Sequence, residues 1–119
     1  MDSFGRHTLS KEERLSGKVS IEALVKGGRW KGTEHLKACI LCGTGSGLNR
    51  IIISVPKKNF KRAVKRNLLK RRMRESYRLQ KELLQASDTD ILFVYNCTEV
   101  LDFKTIFAEV GDLLRLAAQ

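Results

Sequence analysis

Long apolar runs, a framework of cysteines and clustered carboxylates are all missing from this sequence, and each absence closes off a class of protein. No run of about eighteen apolar residues exists, so no membrane span is expected. The first residues, MDSFGRHTLSKEERL, lack the apolar centre of a signal peptide, which leaves a cytoplasmic location as the expectation. Cys39, Cys42 and Cys97 are odd in number, and the C-x-x-C of Cys39 and Cys42 has no second pair with which to hold zinc. That pair lies within ACILC, which reads as strand, so reduced thiols packed in the core are expected. Glu12–Glu13 and Asp88–Asp90 read as a helix-flanking pair and a turn. His7 and His35 have no catalytic partner at a telling spacing, and both read as structural or exposed. The glycine-rich loop GTGSGLN follows no nucleotide-binding pattern.

Negative charge is also scarce where positive charge is dense. Residues 54–81, SVPKKNFKRAVKRNLLKRRMRESYRLQK, hold twelve of the chain's 23 Lys and Arg, with Glu75 as the sole acid. Elsewhere the charges nearly cancel, so the net charge of +10 is local. The run also has internal order. On a helix, Leu69, Met73, Ser76, Tyr77, Leu83 and Leu84 fall along one side. Asn67, Lys70, Arg71, Arg74, Arg78 and Lys81 recur at three- and four-residue spacing along the other. One face can seat the helix on a core while the other presents cations to a polyanion, and a nucleic acid is the leading partner.

The 119 residues suffice for one modest core. Residues 1–10 are expected to form a flexible segment and residues 11–119 a single RNA-binding domain. Ser20 reads as the N-cap of a short helix that Gly27–Gly28 ends. Residues 30–33 read as a short extended piece, and residues 35–42 and 49–55 as strands. The chain's one proline, Pro56, closes the last of these. The basic helix follows over about 61–85, then a strand over 90–96. A closing amphipathic helix over 103–118 turns Phe103, Ile106, Phe107, Val110, Leu113 and Leu114 inward and leaves Glu109, Asp112 and Arg115 outside. The order is that of an α/β sandwich of α+β class, in which the segment 51–95 joins parallel neighbours.

SVPKK followed by AVKRNLLKRRMRE resembles the protein subunit of bacterial ribonuclease P. The family pattern is a strand ending in V-x-K-K, then A-V-x-R-N-R-x-K-R-x-x-R-E. Val55, Lys57, Lys58, Ala63, Val64, Arg66, Asn67, Lys70, Arg71, Arg74 and Glu75 stand at matching places. Upstream, Arg14, Leu15 and Gly28 match a second family pattern, with Ile21 in place of its phenylalanine. The resemblance covers roughly residues 9–115 in element order and is specific over 54–77.

This resemblance implies a protein cofactor for a catalytic RNA that removes the 5′ leader of precursor tRNA. It implies one mixed sheet with a left-handed β-α-β crossover, where strand twist alone favours the right-handed form. The implied partners are the RNA subunit and the leader, with no obligate protein partner. Magnesium is implied for the holoenzyme, held mainly by the RNA, with no cofactor bound by the protein and no catalytic residue on it. Phosphate contacts are expected from Arg62, Lys65, Arg66, Lys70, Arg71, Arg74 and Arg78. Asn67 either hydrogen-bonds RNA or ties down the helix start. A cleft between the sheet and the first helix is expected to hold the leader, with Lys57, Lys58, Ile21, Val25, Trp30 and Phe60 as its candidate residues.

Two departures stand out. The third motif arginine is Leu68 here, with Arg72 adding a cation nearby. Ile21 and Val25 stand where the family carries aromatics, and a stacked base is worth roughly 1–3 kcal/mol, so Trp30 or Phe60 is the candidate substitute. The competing reading is a ribosomal-type RNA-binding protein with no part in turnover. A free-standing nuclease lacks its acidic cluster, and a helix-turn-helix DNA binder lacks the short preceding helix.

Overall fold

A computed structural model describes residues 18–45, 47–85 and 88–118. The expected flexible segment 1–10 lies outside the described residues, as do Arg14 and Leu15. Among the described residues the elements are α1 (Lys18–Gly27), β1 (Arg29–Gly32), β2 (Leu36–Leu41), β3 (Arg50–Ser54), α2 (Ala63–Gln80), β4 (Asp90–Tyr95) and α3 (Phe103–Ala117). The basic helix is shorter than its charge pattern suggests. After Gln80 the chain tightens into a 3-10 turn, Lys81–Leu84, and Gln85 then takes a left-handed conformation that ends it. Ser20 stands inside α1 rather than at its N-cap.

The strands form one mixed sheet in the order β1-β2-β4-β3, with β3 and β4 parallel and the other neighbours antiparallel. Helix α2 is therefore the crossover between parallel neighbours, as the strand–helix–strand order requires. Alternation along each strand sorts the side chains between two faces. Leu36, Ala38 and Ile40 of β2, Ile51 and Ile53 of β3, and Ile91, Phe93 and Tyr95 of β4 point into the main core. Helices α2 and α3 cover this face with Leu69, Met73, Tyr77, Ile106, Val110 and Leu113. On the other face Leu24 of α1 packs on Cys39, with Ile21, Leu41, Ile52 and Leu92 around them.

Burial pushes the Cys39 thiol above its ordinary value, and its Sγ donates to the Leu24 carbonyl at 3.3 Å. Of the three thiols only Cys39 is the packed core group expected; Cys42 is exposed and Cys97 half-buried. Both lie just past strand ends, where the alternation that buries Cys39 no longer acts. Gly28 makes the α1–β1 corner possible. A Cβ there would meet Cys39 Sγ at 2.5 Å and the Leu24 carbonyl oxygen at 2.6 Å.

Two expectations for α3 are corrected. Phe103 is exposed at the helix start and packs against Phe107. Glu109 is buried rather than outside, because the turn between β1 and β2 supplies its partners. Its carboxylate accepts from Thr33 Oγ1 at 2.5 Å, from the His35 backbone N–H at 2.8 Å and from His35 Nδ1 at 2.6 Å. Burial alone would raise the Glu109 pKa, but these donors hold it below the ordinary carboxylate value. The bond to Glu109 likewise raises the His35 pKa, against a smaller effect of burial.

The two shifts set opposite pH limits. A raised His35 stabilises the fold fully below about pH 6.5, its unfolded value, and that contribution is lost as pH climbs through the folded value. A lowered Glu109 contributes above about pH 4.3 and fails on acidification. We therefore predict that the urea midpoint of the parent falls from pH 6 to pH 8.5 by more than that of His35→Gln. Parallel profiles for the two proteins would count against the latch.

Candidate nucleic-acid interface

Helix α2 begins without help from a capping side chain. Arg62 occupies the N-cap position and makes no side-chain cap, and the first turn carries no acid. A helix start favours negative charge, yet Arg62, Lys65 and Arg66 surround this one. Along the back, Leu69, Met73, Ser76, Tyr77 and Gln80 are buried. The Gln80 side-chain amide donates to the Ser76 carbonyl at 3.0 Å and to the Phe107 carbonyl of α3 at 2.8 Å. Gly111 lies against it so closely that a Cβ would meet Gln80 Oε1 at 2.5 Å. Tight packing of α2 on α3 thus holds the helix from behind.

The outward side is where the charges differ from one another. Lys65, Arg71 and Arg74 are exposed and Lys70 half-buried, and among the described residues these four make no ion pair. Arg66 is occupied: Nη1 donates to the carbonyls of Phe60 and Lys61, both at 2.8 Å, and so fastens the chain entering the helix. Asn67 is exposed, so the tie at the helix start is made by its neighbour. Arg78 is engaged by Glu75 one turn back, at 2.7 Å, which raises the arginine pKa and lowers that of the carboxyl. Arg72 turns to the other flank and donates to the Leu101 carbonyl at 2.5 Å. It therefore does not stand in for the arginine absent at Leu68, which is itself half-buried. Val64, at the motif's second position, is 79% exposed.

The face of the sheet that bears α1 is only partly covered. The row Trp30–Cys39–Leu92–Ile52 crosses the four strands by the register of the ladders, and α1 packs over its Cys39, Leu92 and Ile52. The next row along the same face, Gly32–Lys37–Val94–Ser54, lies beyond the residues on which α1 packs. Lys57 and Lys58 follow directly from the end of β3 at Ser54 and are exposed. Ile21 is half-buried against Leu24 and Cys39, whereas Val25 is exposed on the helix side.

Phe60 is not in this cleft. It is 6% exposed in the main core, on the far face of the sheet, with its ring edge-on to Tyr95 at 5.6 Å. Proline at 56 turns the chain over the sheet end, and the segment then delivers Phe60 beneath the start of α2. The Tyr95 hydroxyl accepts from the Leu101 N–H at 3.0 Å and donates to the Glu99 carbonyl, and burial raises its pKa.

Two further groups escaped the sequence reading. Asp90 opens β4, in line with the strand expected over 90–96, but is 2% exposed, and its two oxygens take the Arg50 fork, Nε and Nη2 each at 2.9 Å. Their direct opposition across the parallel ladder, Arg50 to Asp90, depends on register and left no local signal. The second is Lys37, whose Nζ lies 5.2 Å from the Trp30 ring centroid. Its signal is a lysine at a strand position that the alternation assigns to the partly covered face.

Among the described residues the one cluster of three potential metal ligands is Glu34, His35 and Glu109. It does not fit magnesium, which prefers an octahedron of oxygens. Glu109 is already filled by Thr33 and His35, and a cation would have to displace both. No helix among the described residues is long and apolar enough to cross a membrane.

Comparison with known proteins agrees with this geometry. Residues 9–118 match the family model described as Ribonuclease P. The chain is 35% identical to the ribonuclease P protein component of Porphyromonas gingivalis over 98% of this chain and 92% of that protein. It is 30% identical to that of Syntrophus aciditrophicus, over 90% and 88% respectively. The Thermotoga maritima RNase P protein structure superposes with a TM-score of 0.76 at 27% identity, covering 87% of this chain and 96% of that one. The Staphylococcus aureus RNase P protein shares the fold at a TM-score of 0.77 and 22% identity, covering 88% and 94%.

The division between occupied and free cations predicts opposite effects on folding. Arg66→Met removes two charge-assisted bonds at a half-buried turn and should cost about 1–2 kcal/mol. Arg71→Glu with Arg74→Glu should change stability by less than about 0.5 kcal/mol. Urea unfolding in the absence of RNA measures both, and equal losses would show that the outward arginines hold the fold.

Proposed function

Because the chain belongs to the ribonuclease P protein family, we propose that it docks a catalytic RNA on the outward side of α2 and guides the 5′ leader of precursor tRNA over the open sheet face. It is the protein component of a ribonucleoprotein endoribonuclease. The observation that carries the proposed docking mode is the two-sided character of α2. Among the described residues, Lys65, Lys70, Arg71 and Arg74 make no ion pair on one side, while Leu69, Met73 and Tyr77 are buried on the other.

Each residue takes a distinct part in this reading. Arg71 and Arg74 pair with phosphate oxygens through planar forks, and Lys65 and Lys70 act as point charges beside them. Arg62, at the uncapped helix start, joins its backbone N–H groups in favouring a phosphate there. Asn67, on the same side, hydrogen-bonds the RNA. Arg66 and Arg78 act chiefly as positioning residues, through the Phe60 and Lys61 carbonyls and through Glu75. Lys57 and Lys58 meet the leader's phosphates as it leaves the sheet, with Ile21 and Val25 lining the α1 side of its path. The phosphodiester chemistry, with its magnesium ions, is assigned to the RNA subunit.

The test is reconstitution with a catalytic RNA and precursor tRNA at moderate magnesium. The chain should stimulate 5′ cleavage, and Arg71→Glu with Arg74→Glu should weaken binding to the RNA subunit by about 10-fold or more. With five phosphate contacts, the logarithm of the affinity should fall against the logarithm of salt with a slope of about −4. RNA binding without stimulated cleavage would instead favour a plain structural RNA-binding protein.

A further inference from the structure

The outward side of α2 is not uniformly cationic. Val64 is 79% exposed, more than any other large apolar residue among those described. It stands in the first turn of a helix that has neither a side-chain cap nor an acid there. Branching at Cβ lowers helix propensity, so Val64 lends no support to a start that is already poorly held. Among the described residues, neither apolar cluster includes it. Leu68, one turn on, is half-buried and is likewise outside both clusters.

Val64, Leu68 and Arg71 stand at i, i+4 and i+7 and so form one row, on the side of the helix opposite the buried Met73. The row ends at Glu75, which Arg78 engages. Asn67, exposed, lies beside it, three residues from Val64 and four from Arg71. Lys65 and Arg74 flank it and are exposed as well. The two aliphatic side chains thus sit inside the set of cations rather than apart from it. A second copy of this chain is a poor occupant for such a row, since it would set seven Lys and Arg of α2 against seven more. The charge selects a polyanion, and the methyl groups ask for an apolar surface on it.

A regular RNA duplex has no such surface within reach. It displays phosphates and the 2′-hydroxyls of a wide, shallow minor groove, and its deep major groove shuts side chains out. Pressing Val64 and Leu68 onto phosphates would strip water from charges and give no hydrogen bond in return. An unpaired base turned out of its stack differs, because it offers a broad face with polar atoms only at its edge. Resting on the reading of α2 as the docking side for the catalytic RNA, we propose that Val64 and Leu68 form an apolar step that seats one unpaired base of that RNA. The Arg71 guanidinium meets the phosphate of the same nucleotide, and the Asn67 amide meets the edge of the base. Contact with the step releases no counterion, so it marks a place in the RNA where the cations alone respond to charge.

Binding of the full chain to a ribonuclease P RNA transcript, measured over a range of salt, tests this. Val64→Ser should weaken binding about 3- to 10-fold at every salt concentration, with the slope against salt unchanged. Leu68→Ala should do the same, and Val64→Leu should bind like the parent. Arg71→Gln should differ in kind, its slope shallower by about 1 through loss of a phosphate contact. Acylation of RNA 2′-hydroxyls should reveal a flexible nucleotide that the parent constrains and Val64→Ser leaves reactive. Equal affinity of Val64→Ser and the parent, with urea unfolding showing both folded alike, would overturn the step, as would the lack of any such nucleotide. Self-association of the free parent that Val64→Ser abolishes would also overturn it, by making the row a contact between copies. A parent that does not bind the transcript would overturn the docking reading itself, and the step with it.

Discussion

Helix α2 carries seven Lys and Arg against one Glu in eighteen residues, so it can be secured only along the side that faces the core. Like charges at three- and four-residue spacing each cost a few tenths of a kcal/mol, and no acid sits in the first turn to offset them. The helix persists because Leu69, Met73 and Tyr77 enter the main core and Gln80 is bonded across to α3. Arg66 fastens the entry and the 3-10 turn fastens the exit, with Leu84 buried. The remaining repulsion is concentrated on the outward side. In the proposed docking mode a polyphosphate relieves it on contact, so the feature that strains the free helix is also the one that would favour binding.

The sheet answers the same constraint from the other direction. Its main face is fully occupied with holding α2 and α3, so in the proposed reading a second, single-stranded ligand is met by the opposite face. There the ten-residue α1 covers the row through Cys39, Leu92 and Ile52 and leaves the next row open. Gly28 sets this limit by letting the chain turn sharply from α1 into β1 over Cys39. The His35–Glu109 latch then fixes the β1–β2 turn to α3, which steadies the edge that carries Trp30 and Lys37.

Much of this arrangement could be read from the chain because its determinants are local. The two-sided pattern of α2, the β-branched strand before Pro56 and the inward set Ile106, Val110, Leu113 and Leu114 depend on spacing alone. What escaped depends on partners distant in sequence. Glu109 reads as solvent-facing by polarity, yet Thr33 and His35 make its burial favourable. Phe60 reads as a candidate substitute for the aromatics absent at Ile21 and Val25, yet it is packed in the main core on the opposite face. Arg66, Arg72 and Arg78 look equivalent to Arg71 and Arg74 in sequence. Carbonyls of two loops and one carboxylate set them apart.

The central claim is that the unpaired cations of α2, and not positive charge in general, meet the RNA. Lysine acylation, compared with and without the catalytic RNA and read by mass spectrometry, tests this most directly. The account predicts strong protection of Lys65 and Lys70, with Lys26 on α1 and Lys104 on α3 reacting as before. Equal protection of all four lysines, or protection of Lys104 while Lys65 and Lys70 still react, would contradict it.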